Sequence, residues 1–242
     1  MDIMNSAGIV SRLALLVLSA YLFNRIYIPP SAGKFNLPPP GPSFSEKREW
    51  FHLRLVAYIY PSLNIGHAAV TLHECLFILM TYFEYPNSLA DYLLLPTGSS
   101  GPPGWIGMLG LLIGVFGGFF RLACYKALGD AFTFNITQSP KLVTSGPYSI
   151  VRHPSYLGGI LNGLGVSIYH LCPGSWLRES GILQQGVWKI AIGVWVFTTV
   201  VAAHFLCVFR AEDEDRLLKR MFGEEWEAWR RDVRFKIYPG VY

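Results

Sequence analysis

Long apolar runs alternate with short polar segments rich in proline and glycine. Five runs approach the ~20 residues that a helix needs to cross a bilayer. They cover roughly 7–28, 55–83, 104–124, 156–172 and 187–209. The first carries Arg12, ends in Asn24-Arg25 and has no small-residue cleavage site after it. It reads as a retained helix, not a signal peptide. Pro61, His67, His73 and Glu74 interrupt the second. The third holds Gly104, Gly107, Gly110, Gly114, Gly117 and Gly118, several spaced three or four apart, which predicts a face that another helix can approach closely. Residues 29–49 contain Pro-Pro and Pro-Pro-Pro-Gly-Pro and read as a non-helical linker, and 84–103 as a second loop. From Tyr125 to Tyr156 the chain is polar and irregular. Residues 210–232 read as one amphipathic helix or two short ones, with Leu217, Leu218, Met221 and Phe222 on one side and Gly223 as a stop. The pattern predicts an all-α polytopic membrane protein, a single domain over 1–242. Residues 1–125 supply N-terminal spans and linkers and 126–242 the ligand-binding part, in which the loop and the C-terminal tail form a cytosolic cap.

Composition agrees. With 52% hydrophobic and 15% charged residues and a mean hydropathy of +0.33, an ordinary soluble domain is excluded. A net charge of +4, interrupted by acids, argues against a nucleic-acid partner. Lysine and arginine placement sets the orientation. Arg25, Lys34, Lys47, Arg48 and Arg54 follow the first run, and Lys126, Lys141 and Arg152 follow the third. By contrast, 84–103 has no Lys or Arg and 173–186 only Arg178. The N-terminus is therefore expected outside or in the lumen, with the 125–155 loop and the C-terminal tail together in the cytosol. Cys75, Cys124, Cys172 and Cys207 form no CxxC pair, so neither a disulfide framework nor a zinc site is indicated.

The chemistry concentrates in two places. Residues 144–158 run Thr-Ser-Gly-Pro-Tyr-Ser-Ile-Val-Arg-His-Pro-Ser-Tyr-Leu-Gly into an apolar helix. Arginine and histidine at such a position are costly unless they face a cavity, a partner or the interface. Pro154 suits the first helical position. The free N–H groups of that turn could hold a carboxylate, that of a substrate or of an amino-acid-like cofactor. The plainer alternative is a capped helix with an interfacial Arg and Tyr. In the tail, Arg210 precedes Glu212, Asp213, Glu214 and Asp215, and Arg210 and Glu214 share a helix face. Alone this would be a surface ion pair worth ~0.5 kcal/mol. On one side of the membrane, the two segments can line one pocket. His73-Glu74 begins an HExxH motif, but Phe77 ends it. His67 and His73 lie about 240° apart on a helix and read as satisfied packing residues. No GxGxxG, Walker loop or GxSxG is present.

These motifs resemble a known family. The Gly146–Gly158 run, the approach Leu128-Gly129-Asp130-Ala131-Phe132-Thr133 and Leu142-Val143-Thr144-Ser145, and the tail Arg210-x-x-x-Glu214-Asp215 are similar to isoprenylcysteine carboxyl methyltransferases and the related membrane phospholipid methyltransferases. So are Phe222-Gly223-Glu224-Glu225-Trp226 and Tyr238-Pro239-Gly240-Val241. The resemblance covers about 126–242 and implies methyl transfer from S-adenosylmethionine to the carboxylate of a prenylated protein C-terminus or another lipid-like acceptor. It also implies a membrane-lipid setting, in the endoplasmic reticulum. Carried over by position, the cofactor pocket comprises Lys141, Leu142, Val143 (a strand-like segment), Tyr148, His153, Pro154, Ser155, Tyr156 and Glu214, with Gln138 or Thr137 at its edge. Arg210 falls on the acceptor side with Arg152 beside it, and no metal is implied. Pro140 stands where a His is common in the family, and Asp215 replaces the second Glu of the usual pair. Other readings are a phospholipid or small terpenoid-acid methyltransferase, an NADPH-dependent sterol-type reductase with its own Arg-His-Pro-like step, and a non-enzymatic scaffold.

Overall fold

The computed structural model describes residues 6–27, 44–83, 101–131 and 141–241. The described residues are helical with no strand. Helix α1 spans Ser6–Tyr27, α2 Phe44–Arg54, α3 Tyr60–Tyr82, α4 Trp105–Leu128, α5 Pro154–Leu171, the short α6 Trp176–Glu179 and α8 Glu224–Asp232. Between α6 and α8, α7 is one continuous helix, Gly186–Phe222, 37 residues long. Its middle, Phe197–Ala202, is wound as a π-helix, as is Leu55–Ile59 between α2 and α3.

Among the described residues four helices are long and apolar enough to cross a membrane: Ser6–Tyr27, Ala57–Tyr82, Trp105–Leu128 and Gly186–Phe222. The chain is thus a multi-pass membrane protein of all-helical fold, with a count one below the five runs of the sequence. The run outside this set is the fourth, α5, which packs against α1, α4, α6 and α7. Its polar Asn162, Ser167 and His170 are buried inside the bundle. Residues 44–49, read as linker, instead begin α2. They lie past the last proline of the run, so no breaker stops them from winding.

Packing fixes how the helices run. Ile9 and Leu16 of α1 meet Ile78 near the end of α3, Leu111 near the start of α4 and Tyr169 at the end of α5. At the opposite end Phe23, Ile26 and Tyr27 meet Tyr60 and Leu63 at the start of α3. The helices alternate in direction, so the α4–α5 connection and the C-terminal tail emerge at one end of the bundle.

The glycines of α4 form the expected close-contact face, and α5 fills it. A Cβ added at Gly165 would lie 2.3 Å from Gly114 N and 2.5 Å from Gly110 O. Both obstacles are backbone and cannot rotate away. Gly165→Ala should therefore destabilise the bundle by about 1–3 kcal/mol, read as a lower unfolding midpoint in detergent. Gly66→Ala, whose Cβ meets nothing, is the control, and equal midpoints would show that α4 and α5 can separate freely.

At the other end, a polar cluster ties four helices together. Arg12 pairs with the fully buried Glu74. The Tyr169 hydroxyl accepts from Arg12 Nε at 2.8 Å and donates to Glu74 at 3.1 Å. The Trp176 N–H reaches the other Glu74 oxygen at 2.7 Å. Such a pair adds little net stability, but losing one partner strands a buried charge, so it fixes the register of α1 against α3 and α5. His73 stacks on Trp176 and bonds Ala69 O, as a packing histidine should. His67 stacks on Phe23, but neither of its ring nitrogens finds a partner, so it packs without being satisfied. No group of three or more metal-binding side chains occurs among the described residues, and all four cysteines are free thiols.

Candidate active site

Helix α5 begins at Pro154, the position its fixed φ predicts. Just before it the backbone is stapled to the tail. Arg152 N–H donates to Phe235 O at 3.0 Å and His153 N–H to Lys236 O at 2.7 Å. On the facing side α7 continues past its apolar part through Phe222 and stops at Gly223, whose φ of 51° suits a residue without a Cβ. Residues 210–232 therefore split at Gly223 as expected, with the first piece the end of α7 and not a separate helix. One rigid helix carries Arg210, Glu214 and Asp215 out of the bilayer in fixed register, and α8 follows the glycine.

The two segments interlock through charge. Asp215 is the hub. Its carboxylate accepts from Arg152 Nε at 3.2 Å and Nη2 at 3.1 Å, and contacts His153 Nε2 at 2.9 Å. Arg152 Nη1 donates to the carbonyls of Val233 and Arg234, each at 2.8 Å. The guanidinium, only 4% exposed, is thus spent on Asp215 and the tail backbone. His153 also faces Glu214, Nδ1 to Oε2 at 3.2 Å. Burial alone would push His153 down. Its hydrogen bonds to Asp215 and Glu214, together with their charges, outweigh that and hold it up to about 9, an imidazolium at neutral pH.

One turn nearer the membrane lies a second group. Arg210 Nε donates to the Tyr156 hydroxyl at 2.9 Å and to Glu214 Oε1 at 3.1 Å, and Tyr156 in turn donates to Glu214. Arg210 is 7% exposed while the Glu214 side chain keeps 27%, so the carboxylate is the reachable member. Outside this group α2 leans on the same helix, with Arg48 paired to Asp213.

The structure thus brings together Arg152, His153, Tyr156, Arg210 and Glu214 of the expected residues. Pro154 and Ser155 form the first turn of α5, and the Ser155 carbonyl accepts from Arg121 Nη1 at 3.4 Å. Leu142, Val143 and Tyr148 stand next door in an apolar cluster with Cys124, Trp226, Trp229 and Val233, and Trp229 Nε1 donates to Tyr148 O at 3.1 Å. Lys141 is exposed and 141–143 is not a strand. Gln138, Thr137 and Pro140 lie outside the described residues. Sequence reasoning placed Glu214 in the pocket, left Asp215 out of it, and missed the hub role of Asp215. It also passed over Arg121, although a charge inside an apolar run is by itself a functional signal.

The class is therefore a polytopic helical membrane protein with an ion-paired polar site at one end of the bundle. A family profile described as phospholipid methyltransferase matches residues 105–178. The protein-S-isoprenylcysteine O-methyltransferase of Mus musculus is 31% identical over 134 residues, 53% of this chain and 40% of that protein. Protein-S-isoprenylcysteine O-methyltransferase B of Arabidopsis thaliana is 26% identical over 175 residues, 71% of this chain and 76% of its own length. A Delta(14)-sterol reductase of Neurospora crassa is 28% identical over 115 residues, 42% of this chain and 24% of the reductase. No solved structure matches. The chain spans 40% of the mouse relative's length and 54% of the Arabidopsis A form's. The resemblance read from the sequence holds: this chain is similar to the isoprenylcysteine carboxyl and phospholipid methyltransferases of membranes.

Proposed function

We propose that this protein is an S-adenosylmethionine-dependent membrane methyltransferase whose acceptor is a lipid-like carboxylate, foremost that of an isoprenylated cysteine ending a protein. It resides in the endoplasmic reticulum with its site facing the cytosol. The observation that carries the reading is the Arg210–Tyr156–Glu214 group, a guanidinium fork and a part-exposed carboxylate held side by side where α5 and α7 leave the bilayer.

The residues fit the cofactor's amino-acid end. Glu214, exposed on one side, suits an ammonium group, and His153 and Tyr156 fix its orientation. S-adenosylmethionine, when bound, supplies an electrophilic methyl on a sulfonium. Arg210 offers a planar, permanently charged fork matched to a carboxylate, and the buried setting strips water from that acceptor. Transfer forms an O–C bond as an S–C bond breaks, both charges are consumed, and no proton moves. A carboxylate is already ionised at neutral pH, so the site needs no general base. Arg152, spent on Asp215, acts as a positioning residue that holds the loop to the tail.

A phospholipid amine acceptor would have to lose a proton before transfer, a step that an already ionised carboxylate does not need. The sterol-reductase relatives raise the reductive alternative. Purified protein offered labelled S-adenosylmethionine with farnesylcysteine, phosphatidylethanolamine or a small terpenoid acid should methylate the first. NADPH oxidation with no label transfer would reverse the assignment. Within this reading, Glu214→Ala removes a charge-assisted contact worth about 1.5–3 kcal/mol, a roughly ten- to hundred-fold rise in cofactor Kd. An unchanged Kd by calorimetry would remove Glu214 from the cofactor site.

A further inference from the structure

Hydroxyls inside these helices bond their own backbone. Ser62, Thr81, Ser167, Thr198 and Thr199 each donate to the carbonyl four residues earlier. Ser19 of α1 and Thr71 of α3 break that habit. They are 1% and 4% exposed, and neither hydroxyl has a partner among the described residues. His67, one turn before Thr71, leaves both ring nitrogens unpartnered, and His170 of α5 leaves its Nδ1. Both imidazoles are as buried as the hydroxyls.

The four side chains share one place in the bundle. His67 and His170 meet edge to face with ring centres 5.4 Å apart, and His67 lies on Phe23 of α1 at 4.5 Å. Helices α1 and α3 run antiparallel, so one turn from the Phe23–His67 contact Ser19 comes opposite Thr71. Further along the same two faces stand Arg12 and Glu74, bonded to Tyr169, the neighbour of His170. A polar column thus runs inward from the Arg12–Glu74 cluster to the two histidines. Buried donors and acceptors are costly to leave unpaired, and hydrocarbon offers them nothing.

Charge decides what belongs there. Hydroxyls donate and accept, and a neutral imidazole does one of each, so the set asks for an uncharged partner of both kinds. A divalent cation between the histidines would need a counter-charge at this depth. Glu74, on the same face of α3, is already committed to Arg12, the Tyr169 hydroxyl and the Trp176 N–H. Water meets the demand, since a buried water makes about three hydrogen bonds to such groups. We propose that Ser19, His67, Thr71 and His170 form an internal water site that bonds α1, α3 and α5 together within the membrane domain. It stands apart from the methyltransferase reading, and it ties down the helix that carries Tyr156.

Radiolytic hydroxyl labelling of the full wild-type chain in detergent tests this, because radicals form from water and oxidise side chains beside bound water even in the interior. His67 and His170 should be oxidised well above Phe77, which is equally buried in an apolar cluster, after correction for intrinsic reactivity. Thr71→Val and Ser19→Ala should each lower the unfolding midpoint by about 2–4 °C, the scale of one lost hydrogen bond in a chain of this size. The double variant should lose less than the sum, because both hydroxyls bond the same water. The labelling arm uses the wild type and stands whatever the variants do. Histidine labelling no greater than that of Phe77, or midpoints that rise when the hydroxyls are removed, would mean a dry interior and overturn the proposal. Stoichiometric zinc in the purified wild type that is lost from His67→Phe would overturn it in favour of a metal.

Discussion

Arg210→Lys will cut methyl transfer by about a hundredfold or more, the scale of losing one positioned donor to the reacting oxygens, while cofactor affinity changes little. Lysine keeps the charge but cannot donate through a planar fork. In the structure Arg210 reaches Tyr156 and Glu214 through Nε, so its plane is fixed before any ligand arrives. A lysine ammonium at that place can still neutralise Glu214, and for that reason the cofactor's partner stays oriented. Label transfer reads the turnover and calorimetry the cofactor affinity. A collapse of cofactor affinity with an unchanged acceptor KM would move Arg210 from the acceptor to the cofactor wall.

Much of this site was readable in the sequence because it is written in short-range geometry. Pro154 marks a helix start by its fixed φ, Gly223 a helix stop by its missing Cβ, and Arg210 and Glu214 share a face by the period of the α-helix. The glycines of α4 announced a close neighbour, and α5 is that neighbour. The missed features depend on contacts between distant segments. Asp215 holds Arg152 and His153 from more than sixty positions away, and no local pattern separates it from Glu214. Arg12 and Glu74 look like blemishes in two apolar runs until the fold pairs them. Leu142, Val143 and Tyr148 pack with Trp226 and Trp229 of α8, a contact between distant segments that no local pattern shows. The span count is close to the expected five: four helices are long and apolar enough to cross a membrane among the described residues, and α5, buried by its neighbours, carries polar positions that need not satisfy lipid.

Asp215→Ala should cost about 3–5 kcal/mol of stability, the usual penalty when one member of a buried ion cluster is removed and the rest stay charged. Two cations depend on this carboxylate. Arg152 keeps only the carbonyls of Val233 and Arg234, and His153 keeps only Glu214. The backbone staple of residues 152–153 to 235–236 loosens with them, so the tail should become the first part to open, visible as faster amide exchange across 233–238. The same cluster sets a pH dependence. His153 rises from 6.5 to about 9 on folding, so its contribution is complete below 6.5 and is lost as pH climbs through 9. At 1.36 kcal/mol per pKa unit this is roughly 3 kcal/mol, larger than any exposed ion pair on the surface. The wild-type unfolding midpoint should therefore fall between pH 6.5 and 9. In Asp215→Ala that slope should shrink, because His153 loses the hydrogen bond that most raised it and sits closer to its ordinary value. A variant that matches the wild type at pH 7 and keeps its full slope would show that the loop and tail are held by their apolar contacts around Trp226 and Trp229, with the charges as passengers.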